Sequence, residues 1–119
     1  MSLIDLLDEA LANQPDALLA GVIGTDGLRV ELVYTDDPEF DLELAELELA
    51  TLAAQANAAS LRIGSGSVLA LTLESEGLIF CAELITPGYF AVIATLADSD
   101  LGLTREVLAG LVERVHTEL

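Results

Sequence analysis

Residues 40–61, FDLELAELELATLAAQANAASL, decide how the chain is read. At about 100° per residue, Leu42, Ala45, Leu49, Leu52, Ala53, Ala56 and Ala59 fall on one apolar stripe of a helix. Leu47, Ala50, Ala54, Ala58 and Leu61 fall on a second stripe, roughly opposite. Glu43, Glu46 and Asn57 separate the stripes on one side, and Glu48, Thr51 and Gln55 on the other. A small domain covers one such stripe with its own sheet. The second is mostly alanine and calls for another backbone at close range. Leu47, Ala50, Ala54, Ala58 and Leu61 are therefore expected to form a dimer interface.

Upstream, Ser2 and Asp5 resemble a capping box, followed by Leu3, Leu6, Leu7, Ala10 and Leu11 at helical spacing. Pro15 stops that helix near Asn13. Two strands, 18–24 and 28–34, flank Thr25-Asp26-Gly27, a strong hairpin signal. In the second, Leu28, Val30 and Leu32 alternate with Arg29 and Glu31, as in a strand with one wet face. The polar run Thr35-Asp36-Asp37-Pro38-Glu39 leads into the central helix, and Gly64-Ser65-Gly66-Ser67 leads out of it.

Downstream lie three strands, 68–73, 78–84 and 89–96, whose links are too short for parallel crossovers, so they are antiparallel neighbours. Both faces of the last are apolar: Phe90, Val92, Ala94 and Leu96 alternate with Tyr89, Ala91 and Ile93. Helices must cover both sides of such a sheet. After Asp98-Ser99-Asp100, a closing helix aligns Val107, Leu108, Leu111, Val112, Val115 and Leu119. The fold class is α/β (α+β). It is a three-layer sandwich in which a five-stranded antiparallel sheet carries the middle helix on one face and the two terminal helices on the other.

At 119 residues the chain forms one domain, 1–119, long enough to bury roughly two thirds of its unfolded surface. No run reaches the 18 or so apolar residues of a membrane helix, and acidic residues near Met1 do not suit a signal peptide. The single Cys81 cannot form an internal disulfide, so a cytoplasmic home is the simplest reading. There are 21 acidic residues, the four arginines Arg29, Arg62, Arg105 and Arg114, and no lysine, for a net charge of −17. Such a surface repels nucleic acid and anionic lipid. It suits either solubility or a partner with a basic face. Without lysine, Schiff-base chemistry and a P-loop are impossible.

No catalytic, cofactor or metal site emerges. His116 is the only histidine and stands one turn from a helix end, where the dipole favours a cation. Cys81 sits in an apolar strand, as an inert buried thiol does. Asp98-Ser99-Asp100-Leu101-Gly102 fails as a calcium loop: Gly102 and Ala109 stand where an oxygen ligand and the glutamate belong. An acidic helix cap explains the same residues. The Gly64–Ser67 segment lies in helix-to-strand order, the reverse of a phosphate loop, and is expected to be a connector.

Several strings, in order, resemble the roadblock/dynein-light-chain family over nearly the whole chain. They are Leu6-Leu7-Asp8-Glu9-Ala10-Leu11, then Gly21-Val22-Ile23-Gly24-Thr25-Asp26-Gly27-Leu28, then Leu44-Ala45-Glu46-Leu47-Glu48-Leu49-Ala50-Thr51-Leu52-Ala53. The most diagnostic is Phe90-Ala91-Val92-Ile93-Ala94 followed by Asp100-Leu101-Gly102-Leu103-Thr104-Arg105. The family often has asparagine at the place of Asp100, a departure that leaves helix capping intact.

The resemblance implies the same sandwich. It also implies homo- or heterodimers through the middle helix and the adjacent strand, with sheets joined edge to edge. Family members act without catalytic residues, as scaffolds or regulators of small Ras-like GTPases or as cargo-binding dynein light chains. Bacterial members resembling the gliding-motility regulator stimulate GTP hydrolysis by a Ras-like partner. On this reading Glu43, Glu46 and Glu48 edge the partner-binding platform. No arginine is expected on it, Arg62 lying just beyond the helix end, so no arginine finger is expected. Two other readings stay open: an acidic homodimeric chaperone or adaptor for a secreted or other protein, and a small-molecule sensor. The sensor would require a cavity between sheet and helices.

Overall fold

The computed structural model describes residues 1–35 and 40–118. Most of the polar lead-in to the central helix, and Leu119 of the expected closing stripe, lie outside the described residues. The elements in order are α1 (Leu3–Asn13), β1 (Ala17–Gly24), β2 (Arg29–Tyr34), α2 (Leu42–Arg62), β3 (Ala70–Glu74), β4 (Leu78–Thr86), β5 (Tyr89–Leu96) and α3 (Leu101–Glu118). One sheet of order β2-β1-β5-β4-β3 joins the strands, every pair antiparallel.

Local chemistry sets the boundaries. Ser2 Oγ accepts from Asp5 N–H and the Asp5 carboxylate accepts from Ser2 N–H, which makes the capping box that opens α1. Asp41 caps α2 through Leu44 N–H, and Asp100 caps α3 through Leu103 N–H at 3.2 Å. In the β1–β2 turn Gly27 holds φ +87°, and Gly24 N–H donates to Leu28 C=O at 2.7 Å. α2 runs one residue further than expected, to Arg62, and β3 begins two residues later, at Ala70.

β5, at the centre, has both faces covered. Ala91 and Ile93, with Val22, Ile79 and Cys81, meet Leu6, Leu7 and Ala10 of α1 and Leu108, Leu111 and Val115 of α3. Phe90, Val92 and Ala94, with Leu19, Ile23 and Phe80, meet Leu49, Ala50 and Ala53 of α2. Small residues let α2 lie close: a Cβ at Gly27 would stand 3.3 Å from the Ala54 Cβ and 3.4 Å from the Ala50 carbonyl oxygen.

Candidate interaction surface

The helix does not divide into the two stripes its periodicity suggests. Ala50, expected on the outer stripe, is 5 % exposed and packs with Leu49 and Ala53 against the sheet. It is therefore already covered within one chain. Leu47 and Leu61 are exposed, and Ala54 and Ala58 are half-buried beside the β1–β2 turn. On the other flank Leu52 and Ala56 stay half-open and Ala59 is exposed. α2 is rotated from the expected setting, with Ala50 and Ala54 both beside Gly27 of the hairpin.

Two side chains named from sequence have jobs inside the chain. Glu46, expected on the partner platform, has a side chain only 13 % exposed. It accepts a hydrogen bond from the Tyr34 hydroxyl and pairs with Arg29 Nε at 3.3 Å. Burial, followed by the adjacent Glu46 carboxylate, pushes the Tyr34 hydroxyl up to about 12. Asn57, expected in a wet strip, is buried, and its Oδ1 accepts from Val68 N–H at 2.9 Å. That bond ties the chain leaving α2 to the helix. Glu43 and Glu48 remain exposed.

Arg62 also departs from expectation. It is the last residue of α2 and lines an open groove of about 700 Å³ with Leu28, Ala54, Ala58 and Leu61. An arginine therefore does lie on the outer surface of this helix. Arg29 and Arg114 are paired, with Glu31 and Glu46 and with Glu9 respectively.

The sheet has two edges of different character. On β2 the register runs Val22↔Glu31 and then Ile23↔Arg29, so Val30 is an extra residue in a bulge. Bulges and charges on an edge hinder pairing with another strand. β3 pairs with β4 in unbroken register from Ala70↔Glu83 to Glu74↔Ile79. Leu71 and Leu73 stand opposite Ala82 and Phe80 and so point to the α2 side. Leu69 continues that row at 72 % exposure. Leu84 N–H donates to Leu69 C=O, so by antiparallel alternation Leu71 and Leu73 bond inward. Ala70, Thr72 and Glu74 then turn their backbone groups outward. β3 is a straight, unbulged edge beside an open apolar row.

No family model and no curated protein matches the chain. Among solved structures, MglC from Myxococcus xanthus is 33% identical, with 100% of both chains covered and a TM-score of 0.74. The chain belongs to the roadblock/LC7 family. A Roadblock/LC7 domain from Streptomyces avermitilis is 19% identical over 95% of this chain and 93% of its own, with a TM-score of 0.74. Gliding protein MglB from Thermus thermophilus is 16% identical over 97% and 86%, with a TM-score of 0.77. At those identities the likeness is one of fold.

The reactive side chains of this roadblock/LC7 domain are dispersed. Cys81 is buried, and burial pushes its thiol up, with the Thr72 hydroxyl 3.9 Å away acting in the opposite sense. His116 is exposed at the far end of α3. Gly64 and Gly66 take φ +78° and +81° in an open connector, where the Ser60 hydroxyl donates to Gly66 C=O at 2.7 Å. Among the described residues no group of His, Cys, Asp and Glu is placed to hold a metal ion, and no helix is long and apolar enough to cross a membrane.

Proposed function

We propose that this roadblock/LC7 domain is a non-enzymatic homodimer that regulates or scaffolds a small Ras-like GTPase. The observation that carries the homodimer is the unbulged β3 edge beside a row of exposed Leu69 and Leu73 and half-buried Leu71, and the likeness to MglC and MglB is what supports a GTPase partner. A second copy added there by a two-fold axis extends the sheet and covers the leucine row, an isologous contact that closes after two chains. Leu47, Ala54, Ala58 and Leu61 of α2 supply further apolar surface to the assembly, and Ala50 does not.

Glu43 and Glu48 give the exposed helix surface a negative rim for a basic GTPase face, which raises the association rate at low salt. Glu46 serves the fold instead. Any stimulation of hydrolysis works by repositioning the GTPase's own loops, and Arg62 is the arginine on which that statement is tested. An arginine finger contributes about 10³–10⁵ in rate, so Arg62→Ala is expected to change stimulated hydrolysis by less than about tenfold.

The test is calorimetric titration with a purified Ras-like GTPase from the source organism, loaded with GDP or with a non-hydrolysable GTP analogue. Expected are binding that prefers one nucleotide state and weaker binding of Glu48→Lys at low salt. Absence of binding in both states would contradict the GTPase reading, and unchanged binding of Glu48→Lys would contradict the assigned surface.

A further inference from the structure

At one end of the sheet, on the α1/α3 side, a cavity of about 540 Å³ is lined by Val22, Val30, Ile85, Thr86, Tyr89 and His116. β1 and β4 finish there, β5 begins, and the last turn of α3 stands alongside. Val22 is fully buried and forms the floor with Ile85, while Val30 and Tyr89 are 45 % and 47 % exposed and form the walls. Val30 is the extra residue of the β2 bulge, so the irregularity that blunts this sheet edge also supplies a wall.

We propose that this cavity binds a small, uncharged, mostly apolar molecule that carries one hydrogen-bonding group. Its volume and apolar lining match those of ordinary ligand sites, about 300–1,000 Å³ with a few polar groups that fix orientation. Those polar groups are the His116 ring and the Thr86 hydroxyl, and none of the described residues hydrogen-bonds to either side chain.

Electrostatics selects the neutral ligand. No carboxylate among the described residues lines the cavity, so a cation that sheds its water there gains no ion pair in return, and the long-range attraction of the chain's charge is screened by salt. An anion pays the same loss of water and in addition meets the negative field of a −17 chain and the carbonyl end of α3. An uncharged group that hydrogen-bonds His116 or Thr86 avoids both penalties, while its apolar body covers Val22, Val30, Ile85 and Tyr89. The site lies on the opposite face of the sheet from α2 and does not depend on the GTPase reading.

Three probes with one chain and different head groups test this: 1-octanol, octanoate and octylammonium, followed by NMR shifts of the His116 ring and the Ile85 methyls. 1-Octanol is expected to give saturable shifts confined to the cavity residues, with octanoate and octylammonium each weaker by about tenfold or more. Val30→Asp places a charge on a half-exposed wall and is expected to weaken 1-octanol binding by about tenfold with a native melting profile. If that variant melts early, Tyr89→Ser replaces it with the same expectation. Three results would overturn the proposal: no saturable shift, either charged homologue binding as tightly as 1-octanol, or 1-octanol binding unaltered in the folded wall variant.

Discussion

Glu46 shows how a residue's role is set by what reaches it from another element. In sequence it is one of three glutamates on a helix; in the fold, Tyr34 and Arg29 of β2 claim it. No local pattern announces a partner from another strand, and the same holds for Asn57 and Val68. Tyr34→Phe removes the hydroxyl bonded to a carboxylate and is expected to cost about 1.5–3 kcal/mol, the range for hydrogen bonds to charged groups, read by thermal melts at neutral pH. Tyr34 also links stability to pH. Its folded value, about 12, lies above the ordinary 10.0, so the native state holds the proton more tightly. That contribution is complete below about pH 10 and fades as pH rises towards 12. Melts of the parent should therefore lose an advantage over Tyr34→Phe across that interval; a constant difference would show that Tyr34 is not the linked group. Cys81, 2 % exposed with its thiol pushed up by burial, is expected to react with a disulfide reagent only as fast as the chain opens.

At the scale of the element, patterning is a good guide. All three helices and five strands lie close to where periodicity and turn signals place them, and several boundaries have a local cause such as Ser2, Pro15, Asp26-Gly27 or Asp100. The setting of α2 about its own axis is not legible in the same way. Alanine fits both a sheet-facing and an outward position, and nothing local separates Ala50, buried against the sheet, from Ala54, half-buried beside the β1–β2 turn. Leu49, by contrast, is buried as its stripe requires. Leu49→Ala should lower stability by about 2–5 kcal/mol in denaturant melts at fixed protein concentration. A loss well under about 1 kcal/mol would mean that the helix repacks over the sheet. The Ala54 Cβ is among the atoms nearest to Gly27 and no Ala58 atom is, so Ala58→Glu is the cleaner probe of the outer surface and should weaken self-association while leaving the monomer fold intact.

For the whole molecule, the sandwich follows from the doubly apolar β5, which needs helices on both sides. Strand order is hidden: nothing local tells β1 to pair with β5 rather than stand beside β3, since that choice closes a long loop. The difference between the two sheet edges is hidden too, because a one-residue bulge at Val30 leaves no trace in composition. Net charge then sets how assembly responds to salt. Two chains of −17 repel, so self-association should tighten as salt rises, whereas docking of a basic GTPase face should weaken. The most direct measurement is sedimentation equilibrium of the parent and of Thr72→Pro across micromolar concentrations. Proline at Thr72 deletes an outward-facing N–H of β3 and spares the ladder to β4. The expected result is a dimeric parent and a folded, monomeric Thr72→Pro. A monomeric parent, or a Thr72→Pro that pairs as tightly as the parent, would contradict assembly through the β3 edge.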